Sequence, residues 1–77
     1  MKTFYLLLSS INDVKDFVNI VSRYDFDIDL ISGRYVVDAK SIMGIFSLDL
    51  SKPIKAECHS DNCDEAIKAL SRFIVEE

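Results

Sequence analysis

Two periods of apolar residues take turns along this chain. Thr3 to Leu8 is a near-continuous apolar run, the mark of a strand covered on at least one face and lying inside a sheet. Ser9, Ser10 and Asn12 then supply capping chemistry. Val14, Phe17, Val18, Val21 and Tyr24 follow at the three-and-four spacing of one helical face, which predicts a helix from about Asn12 to Tyr24. Asp13 and Asp16 stand near its positive end, and Lys15, Asn19 and Arg23 fall on the wet face. Period two takes over at Asp27 to Ser32, and Arg34 to Ala39 is β-branched and aromatic. With Gly33 between them, these segments predict two strands around a tight turn. Phe26, on the loop before them, belongs either to the rim of the core or to the surface.

Ser41 stands directly before the apolar run Ile42-Met43-Gly44-Ile45-Phe46, where its hydroxyl can accept from a free N–H; a short helix beginning at Ile42 is expected. Pro53 suits the first position of a strand. From it Ile54, Ala56 and Cys58 alternate with Lys55, Glu57 and His59, the pattern of a strand with one wet face. The last segment opens on Asp61-Asn62, carries Asp64 and Glu65 in its first turn, and sets Cys63, Ala66, Ile67, Leu70, Phe73 and Ile74 on one face. It reads as a helix ending in Glu76-Glu77. The order is strand, helix, strand, strand, helix, strand, helix over a single domain, residues 1–77. This is an α+β fold whose economical arrangement is one sheet with helices on a single face.

Composition excludes more than it assigns. No apolar run approaches the ~18 residues of a membrane span, and the stretch after Lys2 lacks the cleavage site of a signal peptide, so a cytoplasmic chain without membrane insertion is expected. Thirteen acidic against nine basic residues, the latter scattered singly, leave no footprint for a nucleic-acid backbone. Cys58 is expected on a strand and Cys63 at a helix start; as small core residues of a cytoplasmic chain they are not expected to form a disulfide. Cys58, His59 and Cys63 offer the ligand types zinc prefers, yet neighbouring strand residues point to opposite faces, and no metal site or cofactor is assigned.

Lys40-Ser41-Ile42-Met43-Gly44-Ile45-Phe46-Ser47-Leu48, together with Ser22-Arg23-Tyr24, Asp27-Ile28-Asp29-Leu30 and Asp64-Glu65-Ala66, resembles the histidine-containing phosphocarrier (HPr) family of the bacterial sugar phosphotransferase system. The likeness runs from about Phe17 to the C-terminus. It implies the family's βαββαβα open-faced β-sandwich, a four-stranded antiparallel sheet with three helices on one face. It also implies two functional places. The family's carrier histidine lies in a Gly-Ile-His-Ala-Arg-Pro stretch between strand one and helix one. Here that region is Ser9-Ser10-Ile11-Asn12-Asp13-Val14, with no histidine, arginine or proline, and the one histidine, His59, falls on the fourth strand. The serine before Ile-Met-Gly is the regulatory phosphosite of the low-GC Gram-positive branch, which makes Ser41 the expected phosphosite and Ile42, Met43 and Phe46 the expected docking patch.

The resulting expectation is a non-catalytic, HPr-like regulatory or interaction module acting through Ser41 and the helix after it. Its partners would be proteins: HPr kinase, phosphotransferase-system components or a regulator. The alternative is a phosphocarrier with a non-standard acceptor, Ser10 or His59. Serine without a base is a poor acceptor, Asp13 would repel an incoming phosphoryl group, and an exposed strand histidine is ordinarily a surface residue.

Overall fold

The computed structural model describes residues 1–76. Five strands form one antiparallel sheet: β1 (Lys2–Leu6), β2 (Ile28–Ser32), β3 (Tyr35–Asp38), β4 (Ile54–Cys58) and β5 (Ile74–Val75), in the order β3-β2-β4-β1-β5. Helices α1 (Ile11–Val21), α2 (Ile42–Phe46) and α3 (Asp64–Ala69) and a 3-10 turn (Ser71–Phe73) complete the chain.

Alternation along the strands decides which face the helices cover. Leu6, Ile28, Leu30, Ile54, Ala56 and Cys58 are wholly buried, and the register lines Val37, Leu30, Ala56 and Phe4 up across four strands. The opposite face is open. One row there runs Val36, Ile31, Lys55, Tyr5, Val75, and the next runs Asp38, Asp29, Glu57, Thr3. Three carboxylates side by side repel; Lys55 lies 3.8 Å from Glu57 and His59 Nε2 lies 2.9 Å from Asp29 Oδ2, which offsets part of that.

Helix α1 begins where capping chemistry places it. Ser10 is the N-cap, and its hydroxyl accepts from the Asp13 N–H at 3.1 Å. Val14, Phe17 and Val21 form the buried stripe. The helix ends at Val21 and not at Tyr24, whose ring leaves the helical face to stack on Phe26 at 5.4 Å. Phe26 is half-buried and packed against the core. In the β2–β3 hairpin Ser32 pairs with Tyr35, and Gly33, the first of the two turn residues, takes φ +59°, the conformation that favours glycine at that place in a two-residue loop.

Three further expectations are corrected. The sheet has five strands, not four, because Ile74 and Val75 pair with Leu6 and Tyr5 and close an edge of β1 that would otherwise be open. For the same reason the last helix stops at Ala69; its expected end at Glu77 lies outside the described residues. The apolar spacing read as one long helix is met in another way. A 3-10 turn repeats every three residues, so Leu70 and Phe73 still point into the core after α3 has ended. Phe73 meets Phe17 edge-on at 6.1 Å, and Arg72 reaches back over the Phe73 ring to Asp16 Oδ2 at 2.6 Å, fastening the turn to α1.

The third correction is a Cys58–Cys63 disulfide. Cys58 points inward from β4 and Cys63 caps α3 from the same buried space; with Cα atoms 6.4 Å apart the two are within bridging reach. Compartment, on which the contrary expectation rested, says nothing of this proximity. In a reducing environment the pair stands as two buried thiols.

Phe17→Ala removes the ring that α1, the 3-10 turn and the sheet share, and should lower the unfolding free energy by about 3–5 kcal/mol, measured as a fall in the urea midpoint.

Candidate functional site

The chain from β3 into α2 is held at each step. Asp38 takes the Lys40 N–H on its carboxylate at 2.9 Å and the Ser41 N–H on its carbonyl at 2.9 Å, turning the strand into the helix. Ser41, extended at φ −100° and ψ 104°, is the N-cap: its hydroxyl accepts from the Gly44 N–H at 3.1 Å and its carbonyl from the Ile45 N–H at 3.1 Å. Lys40 lays its ammonium on the Tyr24 carbonyl at 2.7 Å, tying the entrance of α2 to the end of α1. Ser47 closes the helix by donating its hydroxyl to the Gly44 carbonyl at 2.6 Å.

Gly44 sets how α2 lies on the sheet. A Cβ there would stand 3.2 Å from the Val37 Cβ and 3.2 Å from the Ser41 hydroxyl, so the helix backbone sits closer to β3 than a larger residue permits. Seated this way, Ile45 and Leu48 point into the core, while Met43 is 77% and Phe46 41% exposed. Ile42, expected beside them, is half-buried and packs against the core, so it borders the apolar surface more than it forms it.

Sequence reasoning missed Ile11. It is 63% exposed, at the first position of α1, and with Leu8, Ser10, Phe46, Leu50 and Ser51 it lines an open cleft of about 420 Å³ between the β1–α1 connection and α2. The signal available was its place directly after the capping Ser10, at the first position of the helix. Across that connection Asp13 Oδ2 accepts from the Ser9 N–H at 3.2 Å and the Ser9 hydroxyl at 3.0 Å, so a carboxylate already stands at the start of α1. His59 stands on the open face of the sheet against Asp29, on the side away from α2. Ser41 and His59 are thus not brought together, and Cys58 and His59 face opposite ways.

The comparisons with known proteins bear on this geometry. A family model described as the PTS HPr component phosphorylation site matches residues 13–76. The chain belongs to the HPr family. Members of the family are phosphocarriers of the phosphotransferase system. Among solved structures, HPr-C-His from Thermoanaerobacter tengcongensis is similar at 32% identity and TM-score 0.79, over 94% of this chain and 89% of that one. The phosphocarrier protein HPr from Bacillus anthracis str. Ames is similar at 25% identity and TM-score 0.73, over 96% of each chain. The histidine-containing phosphocarrier protein of a mycoplasma shares the fold, at 17% identity and TM-score 0.75 over 92% and 89%. No curated protein matches significantly. As an HPr-family domain the chain has no helix, among the described residues, long and apolar enough to cross a membrane.

Two measurements check the site's local chemistry. Ser41→Ala should cost about 1 kcal/mol of stability by thermal unfolding, since the Gly44 N–H loses its acceptor. The hydrogen bond from the Ser51 hydroxyl, then that from its N–H, holds the Asp49 carboxyl below the usual aspartate range. A folded value below the unfolded one gives stability that is present above the unfolded value and lost as pH falls through the folded one. An NMR titration should place Asp49 below an ordinary aspartate, and Ser51→Ala should move it up.

Proposed function

We propose that this HPr-family protein is a cytoplasmic, non-catalytic regulatory module that has given up phosphate transfer through histidine and works by protein contact through α2, with Ser41 as its phosphorylation switch. The observation that carries the reading is the combination of an exposed capping hydroxyl with the outward side chains of Met43 and Phe46 on one five-residue helix. Ile42 completes the docking patch at its buried margin. The β1–α1 connection supports the same reading from the other side: the chain's one histidine is elsewhere, and the Asp13 carboxylate takes the Ser9 donors that an incoming phosphoryl group would need.

The switch follows from charge. A kinase such as HPr kinase would direct the Ser41 hydroxyl onto the γ-phosphorus of ATP, with ADP leaving and the hydroxyl proton passing to the kinase. The product adds about −2 charge beside an apolar surface. The N–H groups of Ile42 and Met43, in the first turn and without helical partners, favour an anion there. Phosphorylation would end the hydroxyl's role as a neutral cap and change which protein surfaces α2 accepts: a basic partner gains and an acidic one loses.

One observation favours a second reading, phosphate carriage on His59. Its Nε2 is paired with Asp29, an arrangement that orients an imidazole and leaves Nδ1 as a nucleophile. Asp38, Asp29 and Glu57 line that face, and their field opposes a phosphoryl donor.

Incubation with HPr kinase and ATP should add one phosphate to the wild type and none to Ser41→Ala. A wild type left as unmodified as the variant removes the switch. Incubation with phosphoenolpyruvate and the first enzyme of the phosphotransferase system should leave the protein unmodified. An acid-labile, base-stable phosphate lost in His59→Ala would replace the first reading with the second.

A further inference from the structure

We propose that Cys58 and Cys63 form a reversible dithiol–disulfide couple: Cys63 is the sulfur that exchanges with small disulfides and thiols, Cys58 resolves the adduct, and the oxidation state sets how readily α3 opens. The two are the chain's only cysteines. They lie 6.4 Å apart at Cα, Cys58 ending β4 and Cys63 at the N-cap of α3. Both are buried, at 0% and 1% exposure, so neither meets a reagent in the closed fold. Exchange passes through a local opening, and the sulfur on the less secured element is reached first.

That element is the start of α3. Cys58 stands in a strand paired on both sides, opposite Ile28 of β2 and Lys2 of β1, and His59 carries the ladder on by donating its N–H to the Asp27 carbonyl at 2.9 Å. Freeing Cys58 means parting β4 from both neighbours. Cys63 opens a six-residue helix, too short to stand alone, and makes no side-chain capping bond there. Besides the covalent link, the turn is held by the Ile67 N–H on the Cys63 carbonyl at 2.9 Å and the Asn62 N–H on the Ser60 hydroxyl at 3.0 Å. The exposed Lys2–Asp64 pair at 3.1 Å adds little.

Both oxidation states fit the same packing. The Cys63 Sγ lies 3.1 Å from the Ser60 carbonyl and 3.6 Å from that of Cys58, so once the bond is broken its S–H has acceptors in place. Reduction thus unties α3 from β4 and leaves the core filled. Asp61, Asp64 and Glu65 flank Cys63, so a cationic disulfide is the co-reactant this surface draws. In the opened form the Cys63 thiolate attacks one sulfur of the disulfide RSSR, forming Cys63–SR and releasing RS⁻. The Cys58 thiolate then attacks the Cys63 sulfur and releases the second RS⁻. The two cysteine protons end on the two released thiols; RSSR is reduced and the cysteine pair oxidised. Reduction by a thiol retraces these steps, entering at Cys63.

Cystamine is the probe. By mass spectrometry the reduced wild type should lose two hydrogens and keep no adduct, and dithiothreitol should reverse this with the fold retained by NMR. Cys58→Ala should trap one cysteamine on Cys63, whereas Cys63→Ala should react about tenfold or more slowly. Acid quenching of the wild-type reaction, followed by fragment mapping, locates the first adduct without any substitution: Cys63 is expected, and Cys58 overturns the order of attack. Exchange of the Ile67 N–H should be about tenfold faster in the reduced protein than in the oxidised one. A pair that stays as two thiols in cystamine, a reduced protein that is unfolded, or an Ile67 rate indifferent to oxidation state each overturns the proposal.

Discussion

Everything in this domain hangs on β4 being paired on both sides while only one of its faces is dry. It is the strand that β1 and β2 share, along five and four residue pairs respectively. Its inward positions are Ile54, Ala56 and Cys58. Ala56 lies between Leu30 and Phe4 in the register, and its small side chain leaves room for the helices to settle on the sheet. A shift of one residue in β4 would turn Lys55 and Glu57 into the core and Ala56 and Cys58 out to water, so the register is fixed by the burial itself. Pro53 before the strand and the disulfide partner Cys63 after it mark the two places where the chain leaves the sheet.

Against this frame α2 is an unusual element. It is too short to be stable by itself and has more apolar residues than one buried stripe can use. Ile45 takes the core position, and Leu48 follows it in. Met43 and Phe46 are left to solvent, and Phe46 lines one cleft with Ile11, so apolar surface from two helices meets there. Under the proposed function this cluster is the contact surface. On the same reading, the capping serine at the entrance of α2 is where a change of charge would alter that surface.

Much of the fold was legible in the residue pattern, for physical reasons that differ from element to element. The hairpin was legible because Gly33 lies between two β-branched segments, and β4 because period two runs unbroken from Ile54. The cap at Ser41 was legible because a hydroxyl before an apolar run has one obvious use. The end of the chain was not, since a spacing of three is shared by the α-helix and the 3-10 turn, and only the unpaired edge of β1 distinguishes them. The disulfide escaped because proximity of Cys58 and Cys63 depends on a turn that the intervening polar residues do not specify. At the site, which apolar residue of α2 faces outward depends on the helix's rotation. That rotation is set by Gly44 against Val37, a contact with no periodic signature. Lys40 reaching the Tyr24 carbonyl, sixteen residues away, is likewise a product of the assembled fold.

The Gly44–Val37 contact couples elements that look separate in sequence. With α2 unable to stand alone and its backbone resting on β3, the helix and the edge strand should open together. Fraying at the rim of the sheet would loosen the serine cap; a ligand that holds the helix would in turn protect the strand. Met43 and Phe46 thus sit on a short lever whose fulcrum is a single missing side chain.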